Sequence, residues 1–348
     1  MIRVEPHKMS SLVLSVLGWL LERSGPHIHM GQRLEPQTRA LTWLNSRSNL
    51  PKIYQQHHVR ARLSFARQVA LLDLPKAPMA SVKNHEIPGP RGPIGLRILR
   101  SHGLDPKAPA LIFYHGGGFV IGSLDTHEAA CRLLAQQARC AVVMVDYRLA
   151  PEDPFPAGIE DAQAAYAYIA RHADAFGLDA RRLAIGGDSA GGNLTALVAL
   201  HARDHLPKDL PQPVYQLLIY PAIDFTRKHA SHRDFSQGYV LDEPTKDWFI
   251  NHYFSGDEPV AMDSPRTSPI YADSLEGLPP AMVITAGFDP LRDEGQAYAA
   301  AMREAGVSVQ ERCWEETIHG VLNFAGAVSQ GKALLMEAAE GLSRALKT

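Results

Sequence analysis

The sequence predicts an α/β fold: a mainly parallel β-sheet with helices on both faces, covered by a helical cap. Two observations carry this. Beyond Val82, short apolar runs of strand type alternate with amphipathic helical stretches, the rhythm of βαβ units. The first 75 residues and the stretch 225–263 break that rhythm, the former with helical patterns between Pro and Gly breaks, the latter with aromatic, Asp and Pro residues.

Taken in order, residues 12–21, 38–45 and 53–74 read as helices, with no strand among them. Strands follow at 94–99, which alternates, and at 110–114 and 141–146 (AVVMVD), which are continuously apolar as in a buried parallel sheet. Residues 182–186, 214–220, 281–286 and 307–314 complete the strand candidates. Helices are expected at 126–138, 158–172, 193–202, 245–253, 294–305 and 331–346. The division is therefore an N-terminal helical cap region 1–75, a core 76–224, a cap insertion 225–263 packing with the N-terminal helices, and a second core segment 264–348.

A chain of 348 residues with 45% hydrophobic and 21% charged residues suits one large soluble domain with a subdomain. A formal net charge of -2 gives no basis for nucleic acid as a partner. Cys131, Cys140 and Cys313 are too few and too scattered for a disulfide framework or a zinc site, so reduced thiols in a cytoplasmic protein are expected, with no metal. The apolar segment 10–21 follows Arg3 and Lys8, as in an export signal. It is too short to span a bilayer and no small-residue cleavage site follows it, so it reads as a helix packing over the site, without stable membrane insertion.

Chemistry concentrates at Gly187-Asp188-Ser189-Ala190-Gly191, at a strand-to-helix junction. Small residues there permit a turn sharp enough to leave the serine hydroxyl alone above the sheet edge. A serine needs a base and an orienting carboxylate to become a nucleophile, and this architecture supplies them in the order Ser, acid, His. Asp289 and His319 each follow a predicted strand. His205, His229, His232 and His252 also lie downstream but follow no terminal strand. Asp293 and Glu294 read as the start of a helix, and Glu315 and Glu316 lie too near the histidine in sequence. His115-Gly116-Gly117-Gly118-Phe119 closes the 110–114 strand, where bare backbone N–H groups can meet an oxyanion. The residue after the nucleophile, Ala190, supplies a further N–H. His115 is read as bracing the glycine loop, Asp188 as fixing the turn, and Arg148, Glu152 and Asp161 as a buried ion-pair set.

Together HGGGF at 115–119, GDSAGGNL at 187–194, DPLRDEG at 289–295 and HG at 319–320 resemble the hormone-sensitive-lipase-like (bacterial family IV) esterases. Tyr147-Arg148-Leu149-Ala150-Pro151-Glu152, Phe155-Pro156-Ala157 and Tyr220-Pro221 add to the likeness, which runs from about residue 110 to 325. The resemblance implies an α/β-hydrolase fold with a mostly parallel eight-stranded sheet. It implies a small-molecule carboxylic ester substrate of short to medium chain, and no cofactor. It assigns Ser189 as nucleophile, Asp289 as acid, His319 as base, and the N–H groups of Gly117, Gly118 and Ala190 as the oxyanion hole. Members of that family often dimerise, so a homodimer is an open outcome. Val321 departs from the aromatic residue common after His-Gly. Phe119, Tyr220, Phe225, Tyr239 and Trp248 are candidates for lining the substrate pocket, core packing being the alternative for each. An amidase or deacetylase with the same triad, and a receptor that binds without catalysis, are the rival readings; the intact histidine argues against the receptor.

Overall fold

Apolar, β-branched runs in the middle of the chain have nowhere to hide but a sheet covered on both faces, and the computed structural model, which describes residues 6–347, builds that sheet. The chain opens with α1 (Pro6–Glu22), a two-residue hairpin ladder of β1 (Ile28–His29) and β2 (Gln32–Arg33), α2 (Pro36–Arg47) and α3 (His58–Leu72). The core follows as β3 (Ser81–Pro88), β4 (Pro93–Arg100), β5 (Ala108–Tyr114), α4 (Leu124–Ala138), β6 (Ala141–Asp146), α5 (Ala157–His172), β7 (Leu178–Asp188), α6 (Ala190–His205) and β8 (Tyr215–Ile219). Two helices interrupt it, α7 (Ala230–Asp234) and α8 (Glu243–Tyr253). Then β9 (Ala281–Phe288), α9 (Arg292–Glu304), β10 (Val309–Ile318) and α10 (Ser329–Leu346) complete the chain.

Eight strands form one sheet in the order β10-β9-β8-β7-β5-β6-β4-β3. Pairings from β10 to β6 are parallel, while β4 runs antiparallel to both β6 and β3. Alternation along β5 sends Ile112 and Tyr114 to one face, against Ala162 and Leu194 of α5 and α6. Leu111 and Phe113 go to the other, with Leu134 of α4 and Leu335 of α10. Because the chain runs from β5 to β6 on one side and then to β7 on the other, strand order reverses between β5 and β7. Open α/β sheets gather functional groups outside the carboxyl ends of strands at that switch point.

Two expectations need correction. The β1–β2 ladder lies in a region read as wholly helical; two-residue strands are too short to leave a pattern. Glu152 does not join Arg148 in a buried set. Arg148 makes a bidentate pair with Asp161 (2.8 and 2.9 Å). Glu152, half exposed, instead pairs with Arg62 of α3, at 2.7 and 2.8 Å. The same guanidinium donates to the carbonyls of Val120 and Ala150, which ties α3 to the glycine loop.

The apolar 10–21 segment is helical, within α1, and packs on α2 and α3. It buries Leu14 but leaves Leu12, Val13, Val16, Trp19 and Leu20 exposed. Among the described residues, no helix is long and apolar enough to cross a membrane.

Candidate active site

Between Asp188, the last residue of β7, and Ala190, the first of α6, the chain has one residue in which to turn. That residue is Ser189, held at φ +55°, ψ −118°, a region that L-residues avoid. Its N–H donates to Ile219 O (2.9 Å) and its carbonyl accepts from Ala222 N–H (3.2 Å), so the end of β8 and the segment after it over-determine the strained turn. Gly191 must be glycine for a spatial reason: a Cβ there would sit 1.9 Å from the Tyr114 carbonyl oxygen. Without a side chain, the first turn of α6 can rest directly on the end of β5.

Both candidate partners arrive on the two strands beyond β8. β9 delivers the fully buried Asp289, whose Oδ1 accepts from Leu291 N–H (2.8 Å). β10 runs to Ile318, beyond the expected strand at 307–314, and presents His319. His319 Nδ1 lies 2.7 Å from Asp289 Oδ2, and Nε2 lies 2.8 Å from Ser189 Oγ. A carboxylate can only accept, so Nδ1 carries the proton and Nε2 offers its lone pair to the serine hydroxyl. The Tyr220 ring packs on the imidazole at 4.6 Å between centroids and limits its rotation.

The glycine loop is fixed from below. Asp188 Oδ1 accepts from Gly116 N–H (2.9 Å), and His127 Nε2 lies 3.4 Å from the same oxygen. Burial alone would raise the Asp188 pKa; the His127 ring and the Gly116 N–H outweigh it and hold the carboxyl below its ordinary value. His115 donates from Nδ1 to Gly116 O (2.8 Å), and Tyr147 Oη donates to His115 O (2.6 Å). Burial, helped by the neighbouring His127, pulls the His115 pKa down to about 3, so this imidazole is neutral.

Ser189 and His319 open into a cavity of about 140 Å³, lined also by Gly117, Gly118 and Ala190. Ala190 opens α6, where the first N–H groups have no partner inside the helix. Such a volume accommodates a group about the size of benzene. Phe119 and Phe225 line it, but three of the aromatic candidates do not. Tyr220 lies behind the imidazole, Tyr239 packs on Phe235 and Phe288, and Trp248 turns to Phe249 and His252. Val321 faces the core, and Phe324, one turn on, reaches the cavity instead.

The wall that sequence reasoning missed is one face of α8: Lys246, Phe249, Ile250 and Tyr253, spaced i, i+3, i+4, i+7. Tyr253 stacks on Phe119 at 3.8 Å, and the Phe249 ring fills the space a Gly118 side chain would need. Ile53, in the helical turn at Ile53–Gln55, and Phe65, in α3, line the cavity with α8; no α1 residue does, so the expected cover by 10–21 is not formed.

A strained serine at a strand-to-helix turn, an imidazole with its tautomer fixed by a buried carboxylate, and a glycine loop define a hydrolase of the serine type. A family model described as alpha/beta hydrolase fold matches residues 111–323. The carboxylic ester hydrolase LipN of Mycobacterium tuberculosis is 48% identical over 70% of this chain and 65% of its own length, so the chain spans just under two thirds of that relative. The esterase LipI of the same organism is 40% identical over 74% of this chain and 81% of its own. Among solved structures, an ester hydrolase from the metagenome of Lake Arreo, complexed with a bipyridine phosphonate derivative, superposes with a TM-score of 0.86 at 41% identity, covering 90% of this chain and all of the other. The chain belongs to the hormone-sensitive-lipase-like carboxylesterases of the α/β-hydrolase superfamily.

Proposed function

We propose that this protein hydrolyses short- to medium-chain carboxylic esters through an acyl-enzyme, with Ser189 as nucleophile, His319 as base and Asp289 as the orienting acid. The observation that carries this is the unbroken contact from Asp289 Oδ2 through His319 to Ser189 Oγ at the cavity wall. Ser189 Oγ attacks the ester carbonyl as its proton passes to His319 Nε2, and Asp289 stabilises the imidazolium that forms. The N–H groups of Gly117, Gly118 and Ala190 receive the developing oxyanion. His319 then protonates the departing alcohol, and a water repeats the sequence to release the acid. The size of the cavity and its lining by Ile121, Leu241, Phe249 and Ile250 favour small apolar groups around the scissile bond.

Hydrolysis of p-nitrophenyl esters from acetate to palmitate tests the reading, with Ser189→Ala, Asp289→Ala and His319→Ala in parallel. Turnover should peak at short chains and fall by several orders of magnitude in the serine and histidine variants, with the fold retained. A folded protein inert on every ester, or full activity in Ser189→Ala, overturns it.

A further inference from the structure

On the α8 side of the cavity stands a relay that the ester chemistry above does not use. Glu294 is buried, and its Oε1 accepts from the N–H groups of Ile223 (2.6 Å) and Asp224 (3.2 Å). Its Oε2 lies 2.6 Å from His232 Nε2, and His232 Nδ1 lies 3.1 Å from Lys246 Nζ. All three side chains line the cavity that Ser189 and His319 open into.

The proton positions follow from who can accept. Glu294 is met by two backbone donors, so it is the acceptor, and His232 donates to it from Nε2. A neutral imidazole then has only a lone pair at Nδ1, and Lys246 donates there. That uses one of the three ammonium hydrogens. Lys246 is only 6% exposed. The nearest carboxylates on its own helix are engaged elsewhere: Asp247 and Glu243 lie 2.6 and 3.5 Å from Arg227. Among the described residues, Lys246 forms no ion pair with a carboxylate within 4.0 Å. Burial, with Arg227 nearby, lowers its pKa from the ordinary lysine value. A buried ammonium with one neutral acceptor and donors left over is costly unless something else answers it.

We infer that Lys246 is a specificity-determining residue, and that the site prefers esters carrying a carboxylate on the acyl chain or the alcohol, which Lys246 pairs with inside the cavity. The inference rests on the esterase reading above. The neighbouring geometry sets the reach. Lys246 sits one helical turn, about 5 Å of rise, before Phe249, whose ring lies against Gly118. A carboxylate a few methylenes from the scissile carbonyl spans that interval. Glu294 and His232 act through Lys246 as positioning residues, since they fix which hydrogen it has already given away.

Matched ester pairs test this. In the acyl arm, p-nitrophenyl hemiglutarate is compared with p-nitrophenyl hexanoate; in the alcohol arm, the acetate ester of 4-hydroxybutyrate is compared with pentyl acetate. Lys246→Met, which keeps the length and removes the charge, should lower kcat/KM for the anionic ester of at least one arm by tenfold or more, mainly through KM. The neutral partner should lose much less than its anionic match, and the circular dichroism and melt of the variant report that it is folded. Lys246→Arg should restore most of the anionic preference. Equal losses on both members of each pair, or no loss on either anionic ester, overturn the inference. A wild-type protein that hydrolyses none of the four esters would instead refute the esterase reading itself.

Discussion

Replacing Ser189 by glycine and, separately, by alanine distinguishes the strain of the turn from the chemistry of the hydroxyl. At φ +55°, ψ −118°, a Cβ crowds the backbone, at a cost of about 1–3 kcal/mol; glycine has no Cβ and escapes it. Alanine keeps the strain and loses only Oγ, with its 2.8 Å hydrogen bond to His319. Glycine also loses Oγ, but gives up the strain while adding about 0.5–1 kcal/mol of unfolded-chain entropy. The difference leaves Ser189→Gly more stable than Ser189→Ala by up to about 2.5 kcal/mol. In a chain this long each kcal/mol moves Tm by roughly 1–2 °C, so the melts should separate by a few degrees at most. Equilibrium urea unfolding, compared through the midpoint at unchanged slope, gives the cleaner reading. Both variants should lose ester turnover by several orders of magnitude. If Ser189→Gly unfolds before Ser189→Ala, the turn is not strained, and the account of Ser189 as a residue held against its conformational preference is wrong.

Two further substitutions probe the surroundings of the site. A Cβ at Gly118 would lie 2.3 Å from the Phe249 ring, and its φ of +59° adds about 1 kcal/mol of strain, so Gly118→Ala should displace α8 or the loop. We expect kcat/KM to fall by about 10²- to 10³-fold as an oxyanion donor is misplaced, and Phe249→Ala in the same chain to recover part of it; no recovery would mean the clash is not the cause. At the start of the link after α3, burial raises the Asp73 pKa to about 7, from an ordinary carboxyl near 4. Between roughly pH 4 and 7 the native state therefore holds a proton that the unfolded chain has lost. Stability falls as pH rises, by about 1.4 kcal/mol per unit and about 4 kcal/mol in all, and levels off above pH 7. Asp73→Asn should thus resist urea better than the parent at pH 8 and lose that advantage by pH 4; an advantage equal at both pH values would rule the mechanism out.

How legible the fold was depended on where each element sits in the sheet. β5, β6 and β9 are buried on both faces, and a strand buried that way must be apolar throughout, so AVVMVD at 141–146 can hardly be anything else. β3 is the opposite case. It is an edge strand, mostly exposed, and its Lys83-Asn84-His85-Glu86 stretch carries no alternation to read; only its pairing with β4 makes it a strand. β10 shows both behaviours. Val309, Cys313 and Trp314 marked its start, but the polar Glu315-Glu316-Thr317 segment continues the strand and carries it to His319.

The same physics explains why the candidate triad was readable and the pocket was not. Turning the chain at Ser189 against the ends of β5 and β8 leaves few alternatives at Gly187, Gly191 and the glycine loop, so the constraint is written in local sequence. The α8 wall of the cavity is constrained only by helix phase. Trp248 is the largest side chain on α8, yet it lies off the line of Lys246, Phe249, Ile250 and Tyr253 that reaches the cavity. Size drew attention to the wrong residue, where a 3.6-residue period would have separated the two faces. Lys246 was obscured for a further reason: a lone lysine on a short helix reads as solvent-facing until the helix packs. Here packing places the side chain beside His232 and on the cavity wall with Phe249 and Ile250. The candidate triad is thus held by turns whose stereochemistry tolerates few residues, while one wall of the cavity is set by the rotation of a single helix. It follows that substitutions on α8 can change which ester is taken without touching Ser189, Asp289 or His319.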